Sequence, residues 1–166
     1  GQMMPSDLRK LRCHWLMKGD LISLRNWVMT LFGVINMYRI NEVLQLQVED
    51  FDDSYYPTGK SSPMPANGQG ALTRCQVVNA HSVEALATEV HGKSDDRPVR
   101  LAIFLNRECP EFCILRLLLW WLKITGIKSG YVFPRDNIIN RREKGDLIGQ
   151  CDEHVAYSSY YTDLKL

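Results

Sequence analysis

The chain contains 166 residues, of which 45% are hydrophobic and 23% are charged. This composition excludes a disordered chain and is typical of one globular domain with its own core, which we expect to span residues 1–166. The net charge is only +1. Proteins that bind DNA over a large face are often more basic, so any DNA contact must come from local clusters of Arg and Lys. The longest apolar run, residues 112–122, is interrupted by Arg116 and is too short to cross a bilayer, so no membrane association is expected.

Three helices are predicted in the first third of the chain. Residues 6–17 form a short helix that begins at a Ser N-cap. Asp20 or Ser23 then caps a second helix, whose apolar residues cover most of its circumference up to residue 35, so we expect it to be buried. Residues 40–46 form a third, short helix.

The middle of the chain is predicted to contain a loop and a small sheet. Residues 52–72 are rich in Pro, Gly, Ser and Asn, which is typical of a flexible loop. Residues 74–79, 86–91 and 99–105 are rich in residues that favour strands, and turn residues separate the second from the third. These three strands are expected to pair as an antiparallel meander.

Three more helices are expected after this sheet. Pro110 can occupy the first turn of a helix that runs to about residue 124 and ends at Gly126. Shorter helices are predicted over residues 137–144 and 154–166. The predicted fold class is therefore α+β, mainly α with a small three-stranded antiparallel sheet.

The five cysteines are odd in number and scattered, and no signal peptide precedes them, so a reducing, intracellular compartment is expected. Cys109 and Cys113 are spaced as zinc ligands can be, with Cys151 and His154 as further candidate ligands. No second pair with ligand spacing supports a metal site, so buried free thiols are the better interpretation and no metal or cofactor is expected.

Arg39 is the residue that points most directly to a function. It follows an apolar helix and precedes Ile-Asn-Glu and a second short helix with an acidic end, Glu49-Asp50. A guanidinium at such a junction is costly to desolvate unless an anion meets it, and its fork geometry suits bidentate binding of a phosphate. The ordinary alternative is that Arg39 caps a carbonyl group or pairs with a carboxylate such as that of Glu42.

These residues resemble the first signature box of the tyrosine recombinase (phage integrase) family, in which Arg-Ile-Ser-Glu follows a helix and precedes Leu-x-Leu-x-x-x-Asp. The expected order of elements is also similar, and Val-Phe-Pro at residues 132–134 resembles a Leu-Phe-Pro element of that family. The Cys-Pro before the long helix is similar to Crypton-type members. The resemblance implies the first two-thirds of a tyrosine recombinase catalytic domain.

The resemblance also implies roles for three residues in the cleavage of a DNA phosphodiester. Arg39 would hold the phosphate and stabilise the charge that develops on it. The family carries a lysine in the turn between its second and third strands, and Lys93 occupies the matching turn, from which it would protonate the leaving 5′ oxygen. Glu42 would fix Arg39. The ordinary alternative for Lys93 is an exposed lysine in a turn.

Two departures from the family pattern bear on catalysis. Asn36-Met37 stands where the family has Thr-Gly before the Arg, which puts the tight turn in doubt. The second box, His-x-x-Arg, has no counterpart, since Tyr157 stands where the Arg after His154 belongs, and the tyrosines of residues 157–161 precede the place of the nucleophile. Two explanations stay open: the parent protein continues beyond Leu166 to that box, or the protein keeps the scaffold and has lost the chemistry.

We therefore expect a DNA-binding domain that does not cleave DNA as this chain. The expected contacts with double-stranded DNA come from Arg39, Lys93, Arg97, Arg141 and Arg142. The resemblance implies that the parent protein acts in DNA recombination and integration of a mobile element in the nucleus, and a homo-oligomer is a further expected partner. The alternative is a protein–protein interaction module with no nucleic-acid role, which the near-neutral charge, the loop and the tyrosine-rich end favour.

Overall fold

The computed structural model describes residues 5–52, 85–90 and 99–164. Within these residues the protein is mainly helical with a small amount of sheet, which confirms the broad class expected from the sequence. The α-helices are α1 (Pro5–Lys18), α2 (Leu21–Asn36), α3 (Ile40–Leu44), α4 (Ile114–Thr125), α5 (Asp136–Glu143) and α6 (Tyr157–Leu164). The strands are β1 (Phe51–Asp52), β2 (Ala85–Val90), β3 (Val99–Phe104), β4 (Ile127–Gly130) and β5 (Gly149–Cys151), and 3-10 turns cover Val48–Asp50 and Pro110–Phe112.

Helix α2 lies at the centre of the fold. All ten residues from 23 to 32 are buried, as the apolar circumference predicted. Asp20 is the N-cap, and its Oδ1 accepts a hydrogen bond from the Ser23 backbone N–H at 2.7 Å, so the expected start of the helix is confirmed. Helices α1, α3, α4 and α5 all contact α2. The largest fully buried side chains include Trp15, Trp27, Trp121, Arg25, Phe32 and Phe133.

The first sheet has the antiparallel order β1–β2–β3. Strands β2 and β3 lie within one residue of the second and third expected strands, and their register runs from Ala85 opposite Phe104 to Val90 opposite Val99. Its third member is β1, in which Phe51 pairs with Thr88. The expected strand at residues 74–79 lies outside the described residues, as does nearly all of the expected loop at residues 52–72.

A second sheet corrects the sequence prediction, which contained antiparallel strands only. Strands β4 and β5 pair in parallel. Gly130 allows this close approach, because it has φ 76° and a Cβ on it would lie 2.1 Å from the carbonyl oxygen of Cys151. The neighbouring backbone extends the contact, since Val132 donates its N–H to the carbonyl of Leu46 at 3.0 Å and Val155 donates to that of Phe133 at 2.9 Å.

Three helices are shorter than predicted. Helix α3 stops at Leu44 rather than at residue 46. The 3-10 turn at Pro110 is separated from α4 by Cys113, which has an extended backbone (ψ 100°), so α4 begins at Ile114. Helix α6 begins at Tyr157 rather than at residue 154, because residue 154 is held in an extended bridge to residue 134. Among the described helices, none combines the length and hydropathy needed to span a bilayer.

Candidate nucleic-acid interface

The junction between α2 and α3 turns sharply at Met37. This residue has φ 56° and ψ 31°, the left-handed conformation that usually requires glycine. The N–H of Tyr38 reaches back to the carbonyl of Gly33 at 3.1 Å and satisfies the end of α2. The Tyr38 ring packs against Phe32 at 5.3 Å between centroids. The tight turn that the sequence put in doubt is therefore present, with Met37 in place of glycine.

This turn leaves Arg39 exposed at the first position before α3. Glu42 Oε2 accepts a hydrogen bond from the Arg39 backbone N–H at 2.7 Å, and the Arg39 carbonyl accepts from the N–H of Val43 at 3.1 Å. The main chain of Arg39 is thus held at both ends. Its guanidinium makes no ion pair with a described residue, so Glu42 positions the backbone rather than neutralising the side chain.

Arg142 lies at the other end of α2. Its Nε donates to the carbonyl of Ile124 at 2.8 Å and caps the C-terminal end of α4. The adjacent Glu143 accepts a hydrogen bond from the N–H of Leu21, the first residue of α2, at 2.9 Å. Helix α2 has 16 residues and is therefore about 24 Å long. The structure does not bring Arg142 together with Arg39.

Arg141 is exposed and lines a cleft of about 200 Å³ between α5 and β5. Three carboxylates line the same cleft: those of Asp146, Asp152 and Glu153. The negative charge of these three side chains would repel the phosphates of DNA at this position. Arg141 therefore has acidic surroundings, which its sequence neighbours Arg142 and Lys144 did not indicate.

Lys93 and Arg97 lie outside the described residues. Both fall in the connection from β2 to β3, whose last described pair is Val90 opposite Val99. The placement of Lys93 between the second and third strands of the antiparallel sheet therefore agrees with the sequence prediction at the level of topology, and its role stays a prediction.

The tyrosines near the end of the chain differ in environment. Tyr160 is 6% exposed and its hydroxyl lies 2.8 Å from Thr30 Oγ1. Burial raises the pKa of Tyr160, and the Thr30 hydrogen bond opposes that shift. Tyr157 and Tyr161 are each 50% exposed and stack with centroids 5.9 Å apart.

His154 precedes these tyrosines. Its Nδ1 lies 2.8 Å from the carbonyl oxygen of Val155, which holds the ring against the adjacent backbone.

Arg25 is the charged residue that the sequence analysis missed. It is 0% exposed within α2, and its Nη1 forms an ion pair with Asp136 Oδ1 at 2.6 Å and donates to the Pro134 carbonyl at 2.8 Å. Its Nε and Nη2 both donate to Asn26 Oδ1, at 3.1 and 3.0 Å. The Asn26 amide in turn donates to Asp163 at 2.9 Å.

This network joins α2 to the start of α5 and to α6. Desolvation lowers the pKa of Arg25 below its ordinary value, while the hydrogen bond and charge of Asp136 act in the opposite direction. The guanidinium is enclosed by the protein, so it is a structural group and no substrate can reach it. Arg-Asn inside an otherwise apolar helix was the available signal, because a buried charge needs a partner.

Comparison of this chain with protein-family models, curated proteins and solved structures finds no match. In the described part of the chain, no group of three His, Cys, Asp or Glu residues is arranged to hold a metal ion.

Proposed function

We propose that this protein is a double-stranded DNA-binding domain of the tyrosine recombinase type, which holds a backbone phosphate through Arg39 and does not cleave the strand as this chain. The observation that carries the proposal is an exposed guanidinium, free of any described carboxylate, on a backbone that Glu42 fixes. A guanidinium in this state can present two parallel N–H donors to a phosphate. Because the backbone of Arg39 is already held by Glu42, binding has to order only its side chain.

The order of the described elements supports the same class. The resemblance implies a particular order of elements, and the described elements follow it: a buried helix, a tight turn with Arg39, a short helix, an antiparallel sheet and a long apolar helix. The connection of β2 to β3 then supplies Lys93 and Arg97 as further phosphate contacts. Lys93 would act as a general acid only in a protein that also has a nucleophile and a second clamping arginine.

Cleavage of a strand requires more of the site than binding does. Transition-state charge on a phosphodiester is stabilised by several cations at once. Arg142 caps α4 about one length of α2 away from Arg39, and Arg25 is enclosed. Tyr160 shares its hydroxyl with Thr30 and is buried. We therefore assign binding, and no strand cleavage, to this chain.

The test is fluorescence anisotropy with a labelled 30-base-pair duplex, first at 50 mM and then at 200 mM NaCl. Affinity should fall steeply between the two, because phosphate contacts release counterions. Arg39→Ala should weaken binding by about three- to tenfold at every sequence tested and should lower the slope against salt by about one.

Arg135→Ala is the matched control, since it removes the same charge from an exposed pair with Glu153. It should change affinity less than twofold. Both variants should melt within about 2 °C of the wild type, because neither an exposed arginine without an ion pair nor an exposed ion pair contributes much to stability. Absence of duplex binding at 50 mM salt, or an equal loss in the two variants, would contradict the proposal and leave the interaction module as the better assignment.

A further inference from the structure

An apolar groove lies between α1 and α4, over the start of α2. It encloses about 270 Å³ and opens to the surface. Its apolar lining consists of Trp15, Leu16, Leu21, Leu24, Trp120 and Ile124. Trp120 is 49% exposed, although tryptophan is a costly side chain to leave in water.

The two helices that form the walls carry a strong positive charge. Helix α1 contains four basic residues and one acidic residue, and α4 contains two basic residues and no acidic one, a net charge of +5 on the pair. The whole chain has a net charge of +1. The remaining residues therefore carry −4, so the net positive charge of the chain is concentrated on these two helices.

Three of these cations, Lys18, Arg116 and Lys123, lie near the apolar lining. Lys18 Nζ is 4.9 Å from the centroid of the Trp15 ring, at one rim. On α4, Arg116 and Lys123 are exposed and stand four residues before and three residues after Trp120, the spacing that places them on the same helical face. Asp20 also lines the groove, but its carboxylate accepts two hydrogen bonds from Ser23.

We propose that this groove binds an amphipathic helix of a partner protein, with apolar side chains at helical spacing and acidic residues on both flanks. The apolar floor would take side chains at positions i, i+4 and i+7 of that helix. The rim would meet its carboxylates, which raises the association rate and fixes the orientation. Trp120 is the anchor, because it is 49% exposed and the other tryptophan of the lining, Trp15, is only 1% exposed, so Trp120 has more apolar surface to bury on binding.

Charge and size select this occupant over the others. A second copy related by a two-fold axis would bring the same positively charged face to this one, so repulsion disfavours that symmetric arrangement. With about 270 Å³ and an open side, the groove would leave much of a small molecule in water, whereas small-molecule pockets bury roughly 70–90% of their ligand. DNA would match the charge, but its phosphates would leave the apolar floor uncovered.

The experiment uses this chain and a fluorescein-labelled synthetic helix of 16 residues with Leu at three positions along one face and Glu on its flanks. A second peptide replaces every Glu with Lys and keeps the same leucines. Anisotropy titrations should give at least tenfold tighter binding for the acidic peptide. Trp120→Ala should weaken that binding at least tenfold, while Tyr157→Ala, which removes an equally exposed aromatic side chain from α6, should leave it unchanged.

Lys123→Glu keeps the proposal testable even if Trp120→Ala perturbs folding. This exposed substitution should weaken binding of the acidic peptide and strengthen binding of the basic one. Equal binding of the two peptides, no binding of the acidic peptide at 1 mM, or no effect of either groove variant would overturn the proposal. Two other outcomes would also overturn it. If the protein self-associates and Trp120→Ala abolishes the association, the groove binds a second copy. If no peptide binds and Trp120→Ala loses duplex binding, the groove binds DNA.

Discussion

The buried ion pair between Arg25 and Asp136 permits a quantitative prediction about stability. Among the described residues, Asp136 supplies the one carboxylate that pairs with the Arg25 guanidinium, which is 0% exposed, and Asp136→Ala removes it. The neutral oxygens of Asn26 and Pro134 remain as acceptors. Removing one partner of a buried pair costs about 3–5 kcal/mol, because the remaining charge is left without compensation.

The low end of that range applies here. The Asp136 side chain is 41% exposed, so water can enter the space that the carboxylate leaves and hydrate Nη1 in part. We expect Asp136→Ala to lower the free energy of unfolding by about 3 kcal/mol. Asp136→Asn keeps an acceptor oxygen and loses only the charge, so about 1–2 kcal/mol is expected.

Urea denaturation followed by tryptophan fluorescence measures both values. With a slope near 2 kcal/mol per molar urea, the midpoint of Asp136→Ala should fall by about 1.5 M without a change in slope. Glu153→Ala is the matched control, because its pair with Arg135 has nearly the same length, 2.7 Å, but both side chains are more than half exposed. It should cost less than about 1 kcal/mol. Equal effects of the two alanine variants would refute the argument that burial decides the difference.

Two further predictions concern the turn at Met37 and the thiol of Cys151. Met37→Gly should stabilise the protein by about 0.5–1 kcal/mol, because relief of the left-handed strain exceeds the entropy that glycine adds to the unfolded chain; an unchanged or lower urea midpoint would contradict this. Burial raises the pKa of Cys151 from 9.0 to about 11. Between pH 9 and 11 the unfolded state has therefore lost a proton that the folded state retains, and the free energy of unfolding falls as pH rises. The loss is about 1 kcal/mol by pH 10. Cys151→Ala should lose correspondingly less stability than the wild type between pH 8 and 10, and an equal loss in both proteins would disprove this.

Features set by neighbouring residues were predictable from the sequence. Asp20 caps α2 as expected, since an N-cap needs only the three residues that follow it. Gly126 ends α4 in the left-handed conformation, which is equally local. The position of Arg39 before a short helix also follows from the chain around it.

Features that depend on distant residues were not predictable. Arg25 is neutralised by Asp136, which is 111 residues further along the chain, and no local pattern announces that pairing. Strand β4 reads Ile-Lys-Ser-Gly, which has little strand propensity and becomes a strand through its parallel partner β5. Arg142 lies in a basic stretch of sequence that suggests a DNA contact. In the fold its guanidinium lies beside the carbonyl of Ile124 and caps α4 instead.

The pairing of β1 with β2 joins two parts of the chain that are far apart in the sequence. Phe51 lies opposite Thr88, and Asp52 lies opposite Ala87. Because β2 also pairs with β3, this short ladder sets the position of both strands relative to the turn that carries Arg39. A substitution that weakens β1 would therefore shift the antiparallel sheet relative to Arg39 without changing Arg39 itself.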